Sequence, residues 1–113
     1  MVDLKFRIKI KQYGESEWLH SDSFKTLLLF FKAIENYEYD RAELQRYTGL
    51  KDKNGHKIYE KDWLKHFKYM FEVCFYKGAF YGKQKGVEYY VLLNEMNEHS
   101  EIIGNNYENP ELN

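Results

Sequence analysis

Tyr47-Thr48-Gly49-Leu50-Lys51-Asp52-Lys53-Asn54-Gly55-His56-Lys57-Ile58-Tyr59-Glu60-Lys61-Asp62-Trp63-Leu64 concentrates the turn chemistry of the chain. Asn54-Gly55 and Lys61-Asp62 bracket a short piece containing Ile58 and Tyr59. Asn-Gly is a strong tight-turn pair because both residues accept positive φ at low cost. Upstream, Ala42 to Tyr47 is expected to form a strand that Thr48-Gly49 breaks, with Lys51 to Asn54 a polar loop. Near the end, Ile103-Gly104-Asn105-Asn106-Tyr107-Glu108-Asn109-Pro110 forms a counterpart. Neither string holds an acid, base or ligand set that names a reaction. The first reads as scaffold, the entry to a small barrel closed by Gly104 to Pro110.

Working outward, Leu4, Phe6, Ile8 and Ile10 alternate with Lys5, Arg7, Lys9 and Lys11. A period of two predicts a half-buried strand with a basic outer face, which either contacts phosphates or, as is more common, is solvated or paired with glutamates on a neighbour. Glu17 to His20 is a short partner strand. Ser21, Asp22 and Ser23 offer N-cap oxygens for a helix over 23–36. Phe24, Leu27, Leu28, Phe31 and Ile34 form its apolar stripe, and Leu29 and Phe30 extend beyond it. So apolar a helix is buried on more than one side or meets another subunit. Tyr37 to Asp40 fits a frayed helix end or a strand.

After the central stretch the chain reads as short strands. Phe67 to Tyr76 ends at Lys77-Gly78, Phe80-Tyr81 precedes a flexible loop over 82–86, and Val87 to Leu93 is the strongest continuous strand. Asn94 to Ser100 is a loop or one helical turn, and Glu101 to Tyr107 a last strand. Turn signals at this spacing with no helical period predict a small antiparallel barrel. No linker divides the halves. Residues 1–113 read as one compact unit with a strand-helix-strand part, 1–46, and a barrel part, 47–113.

The 113 residues are enough for a core without disulfides. The longest apolar run, Leu27 to Phe31, is far short of the roughly 20 residues that span a bilayer. Met1 to Lys5 carries no leader pattern, and Cys74 has no disulfide partner, so a cytoplasmic setting is expected. Eleven Tyr, eight Phe and two Trp fit a β-rich core with half-buried tyrosines, or a surface that stacks bases or anchors a protein. Lys51 to Lys85 holds nine Lys against four acids, and Gly86 to Asn113 six Glu and no Lys or Arg. That asymmetry is either a steering field or strands neutralising each other across a sheet.

Catalytic, metal and cofactor sites are not predicted. His20, His56, His66 and His99 are far apart with no ligand spacing, and Cys74 sits among aromatics as a buried thiol does. Gly78, Gly82 and Gly86 make no nucleotide-binding fingerprint. Asp52 and Asp62 flank loops and are either an acid pair or turn residues, Asp being common at turns for conformational reasons.

Tyr47-Thr48-Gly49-Leu50-Lys51-Asp52-Lys53-Asn54-Gly55 with Ile58-Tyr59-Glu60 and Asp62 resembles the signature of the YopX family of phage and prophage proteins. Ile102-Ile103-Gly104-Asn105 with Tyr107-Glu108-Asn109-Pro110-Glu111-Leu112 is similar to that family's ending. The resemblance is close over residues 44–113 and loose before them. Lys61-Asp62-Trp63 departs from the family's usual Gly-Asp and small aliphatic residue, which puts a left-handed turn there in doubt. The resemblance implies an α+β protein whose N-terminal strand and helix region packs with a C-terminal SH3-like antiparallel barrel. It implies a phage accessory protein in a bacterial cytoplasm, often oligomeric, with no established activity and no catalytic residues. The motif positions Tyr47, Thr48, Gly49, Leu50, Asp52, Asn54, Gly55, Tyr59, Asp62, Gly104, Asn105, Tyr107, Asn109 and Pro110 read as structural. The expectation is a non-enzymatic protein, without cofactor, that binds a host or phage protein and self-associates. The alternative is a nucleic-acid module using the Lys-rich segment. In either case an exposed Trp63 with Lys65, Lys68 and Lys77 would form the contact surface.

Overall fold

The computed structural model describes residues 4–39, 43–106, 108 and 109. Among the described residues it is mostly β with one α-helix, and the chain divides into two compact units, Met1–Tyr47 and Thr48–Asn113.

In the first unit β1 (Phe6–Gln12) pairs antiparallel with β2 (Glu15–His20), β3 (Glu38–Tyr39) and the start of β4 (Gln45–Lys51). The alternation along β1 places Ile8 and Ile10 in a core with Phe30 and Ile34. Its basic face is not bare: Trp18, opposite Lys9, has the Arg7 guanidinium 4.2 Å and the Lys9 ammonium 4.9 Å from its ring centre. Such contacts hold cations by the ring's negative face.

The helix is shorter than expected. Ser21 to Ser23 form a 3-10 turn, and the Ser21 hydroxyl accepts the Phe6 N–H at 2.8 Å instead of capping a helix. Thr26 is the N-cap: its Oγ1 accepts the Leu29 N–H, and α1 runs Leu27–Ile34. The inward face therefore carries Phe30 and Ile34, with Phe24 packed against them. Leu28, expected in the stripe, is 63% exposed, and Phe31 lies at the margin. Tyr37 to Asp40 resolves as a strand at β3, Asp40 lying outside the described residues.

The predicted break at Thr48-Gly49 does not occur, because Gly49 takes φ 85° inside β4 and the strand continues to Lys51. Ala42, the start of the expected strand, lies outside the described residues. In the second unit β5 (Lys57–Tyr59) neighbours β4. The other strands are β6 (Asp62–His66), β7 (Tyr69–Tyr76), β8 (Ala79–Gln84), β9 (Tyr90–Leu92) and β10 (Ser100–Asn105). They form an antiparallel sheet in the order β10-β6-β7-β8-β9. Ile58, Leu64, Phe71, Val73, Leu93 and Met96 make the core.

Two expectations fail here. Gly82 belongs to β8 and not to a loop: a Cβ on it would lie 2.7 Å from the Met96 sulfur, so the glycine lets β8 approach the core closely. Of Val87 to Leu93 only Tyr90 to Leu92 is strand; Val87 and Tyr89 are exposed, and Leu93 opens the first of two 3-10 turns, Leu93–Glu95 and Asn97–His99. No helix among the described residues is long and apolar enough to cross a membrane.

The turn between β5 and β6 is left-handed despite lacking glycine, with Lys61 at φ 70°. Its N–H donates to the Val73 carbonyl and its own carbonyl accepts the Asn106 N–H, so both neighbours hold the strained backbone in place. An L-residue there is strained by about 1 kcal/mol. Lys61→Gly is therefore expected to stabilise the protein by about that amount, read as a higher urea midpoint at unchanged slope.

Candidate functional site

The motif residues are brought together, and they build structure. Asp52 has a side chain removed from solvent. Its Oδ1 accepts the N–H groups of Asn54 and His56, each at 2.9 Å, which shapes the Asn54-Gly55 turn. Its Oδ2 accepts the Ile102 N–H at 3.1 Å, fastening that turn to β10. Asn97 Nδ2 donates to the Lys51 carbonyl at 2.7 Å, and the Lys53 N–H donates to the Ser100 carbonyl. Asp62 repeats the device at the second turn. Its Oδ2 accepts the Tyr59 N–H at 2.8 Å, and its Oδ1 accepts Asn105 Nδ2 at 2.9 Å. Asn109 Oδ1 accepts the Asn105 N–H, and Thr48 Oγ1 donates to the Ile58 carbonyl. Each carboxylate serves its own turn, so they do not act as an acid pair. Tyr107 and Pro110 lie outside the described residues.

The expected contact surface does not assemble. Trp63 is 4% exposed, because β6 lies between β10 and β7 and the indole is covered, with Lys85 6.0 Å from its ring centre. It is withdrawn as a contact residue. Lys65 is exposed on β6 opposite Met70 and Glu101. Lys68 follows β6 and Lys77 follows β7, so the two sit at opposite ends of β7. Eight strand residues span about 23 Å, too far for one phosphate contact.

Other reactive groups are quiet. Burial pushes the Cys74 thiol up and the Glu72 charge adds to it, the opposite of an activated thiolate. Burial also raises the Glu72 carboxyl, against Lys83, Lys61 and the amide of Asn106 at 2.6 Å. Among the described residues no three His, Cys, Asp or Glu are grouped to hold a metal ion.

What sequence reasoning missed is a groove of about 590 Å³ in the second unit. Phe71 and Met96 form its floor, and Phe67, Tyr69 and Tyr89 its walls. Phe67 opens the two-residue turn between His66 and Tyr69 at φ 55°, a position that glycine ordinarily takes. Its ring is 74% exposed. A bulky residue at positive φ is a strained choice, one that Phe67 shares with Tyr13, Lys61 and Lys77.

His66 also lines the groove, edge-on to Phe67 with ring centres 4.7 Å apart. Its Nδ1 is 3.0 Å from Ser100 Oγ, a Ser–His pair 34 residues apart in sequence. The pair is not a nucleophilic dyad. Ser100 is fully buried, and its hydroxyl donates at 2.6 Å to the Met96 carbonyl, so His66 must be the donor at Nδ1.

The family model described as YopX protein matches residues 4–112. No curated protein matches the sequence significantly. Among solved structures the chain is similar to the crystal structure of protein EF1440 from Enterococcus faecalis, at 23% identity over 99% of both chains and TM-score 0.50. That likeness is one of fold.

Proposed function

We propose that this chain, which belongs to the YopX family, is a phage-type accessory protein that binds another protein through the groove beside Phe67. The observation carrying this reading is Phe67 itself: an aromatic side chain 74% exposed on a strained turn, over an apolar floor. Exposed aromatics around a preformed concave floor are the usual anchors of a protein interface. On this reading the second unit is a small SH3-like barrel that presents the groove, and the protein works in the cytoplasm of a bacterial host. Self-association is part of the proposal, supported by the exposed Leu28 and Leu29 on one eight-residue helix. The nucleic-acid alternative has less support, since the chain's formal net charge is −1.

Phe67→Gly separates function from folding. Glycine relieves the left-handed strain, so the variant is expected to be more stable by about 1 kcal/mol in urea. It is also expected to recover at least tenfold less partner than wild type when tagged protein is used to capture proteins from infected host cells. Equal recovery by both proteins would overturn the groove reading, and a strict monomer by light scattering would overturn self-association.

A further inference from the structure

We propose that Asn54 is a self-modification site, converted to isoaspartate by attack of the Gly55 amide nitrogen, and that the bonds to Asp52 restrain it in the folded chain. The site is independent of the groove. Asn54 is the one asparagine in the sequence followed by glycine, and both residues are exposed. Gly55 brings no side chain against the attack, and a Cβ built on it would meet nothing within 4 Å. In the first step the Gly55 nitrogen gives up its proton and bonds to Asn54 Cγ. The Cγ–Nδ2 bond breaks, and Nδ2 leaves as ammonia with that proton. Water, the one co-reactant, then opens the five-membered imide, adding hydroxyl to a carbonyl carbon and hydrogen to the nitrogen. Opening at the main-chain carbonyl of residue 54 leaves isoaspartate. The chain then runs through Cβ and Cγ, one atom longer, with a free carboxylate on Cα.

The fold opposes the first step. Closing the ring means swinging the Gly55 nitrogen toward the Asn54 side chain, and that nitrogen is committed elsewhere. Its N–H donates to the Asp52 carbonyl at 3.0 Å, which closes a turn over 52–55. On either side, the Asn54 and His56 N–H groups donate to Asp52 Oδ1, each at 2.9 Å. The Asp52 N–H donates in turn to the His56 carbonyl, and the Lys53 N–H to the Ser100 carbonyl, both at 2.9 Å. The turn is therefore tied to β10 as well as to itself. The product acts back on the same bonds. A longer main chain between residues 54 and 56 separates the two N–H groups that share Oδ1, and the new carboxylate repels that of Asp52. Isoaspartate at 54 thus loosens the turn from β10, where Asp52 Oδ2 accepts the Ile102 N–H at 3.1 Å.

The test incubates the full chain and a free peptide spanning Lys51 to Lys57 at neutral pH, reading isoaspartate at 54 by peptide mass spectrometry. Wild type is expected to convert about tenfold more slowly than the peptide, and Asp52→Ala to recover most of that difference. Leu64→Ala removes a fully buried side chain from the core of the same unit and leaves the turn's own bonds in place, so it controls for unfolding. It is expected to convert at less than half the rate of Asp52→Ala. Equal rates for wild type and peptide, or for Asp52→Ala and Leu64→Ala, would overturn the restraint by Asp52. No conversion in Asp52→Ala would overturn the site itself. The isoaspartyl form of the full chain, separated by ion exchange, is expected to unfold at a lower urea midpoint than Asn54→Asp, which adds the charge without lengthening the chain. Equal midpoints would overturn the loosening of the turn.

Discussion

Phe30→Ala is expected to destabilise the protein by about 4 kcal/mol, while Phe31→Ala, one residue on, changes stability by less than about 1 kcal/mol. Phe30 is fully buried between Ile8, Ile10 and Ile34 and packs on Phe24 with ring centres 5.9 Å apart. Truncation removes the transfer free energy of the ring and leaves a cavity that β1 cannot close, since the β2, β3 and β4 pairings hold it. Phe31 already faces solvent over 37% of its surface, so its loss opens no enclosed void. Urea unfolding of the two variants checks this, and equal losses would return the inward face to the stripe through Leu28 and Phe31.

That contrast marks where the sequence stops being legible. The apolar period of α1 was readable, but its phase depended on where the helix starts. The start was hidden because the Ser21 hydroxyl goes to the Phe6 N–H, fifteen residues away, and Thr26 caps instead. The alternation of β1 and the turns at Asn54-Gly55 and Lys77-Gly78 were readable because their causes lie in adjacent residues. Gly82 was not: a glycine kept for close approach to Met96 looks the same in sequence as one kept for a loop. Trp63 was misread because a residue on an inner strand can be covered on either face of the sheet.

The candidate site was legible only in part. Lys68 was picked out and lines the groove, but residues from His66 to Met96 meet there through β7, β8 and β9. No local pattern announces that convergence. Phe67 carried the faintest signal, a phenylalanine standing between two strands where turn chemistry asks for glycine. The two family strings are the reverse case. Their residues stood out although their purpose was invisible, because Asp52 and Asp62 reach partners 50 and 43 residues away.

Asp52→Ala tests that purpose and is expected to destabilise the protein by about 3 kcal/mol. Three backbone N–H groups, those of Asn54, His56 and Ile102, lose their acceptor together. Water can reach the exposed Asn54 and His56, whereas the Ile102 N–H sits where the turn covers β10, so most of the loss falls there. Asp52→Asn is expected to lose less, since one amide oxygen still shapes the turn while the amide nitrogen meets the Ile102 N–H as a second donor. The pH dependence follows from the same bonds. Burial acts to raise the Asp52 carboxyl, but the N–H groups of Ile102, His56 and Asn54, with the His56 ring, hold it below its ordinary value. A depressed carboxyl binds fewer protons folded than unfolded, so its contribution is complete above the unfolded value and is lost as pH falls through the folded one. Wild type should therefore shed stability below about pH 4, where unfolded Asp titrates, and the gap to Asp52→Ala should narrow as it does so. A gap that stays constant down to pH 2 would mean that the carboxylate charge is not what ties the two strings together.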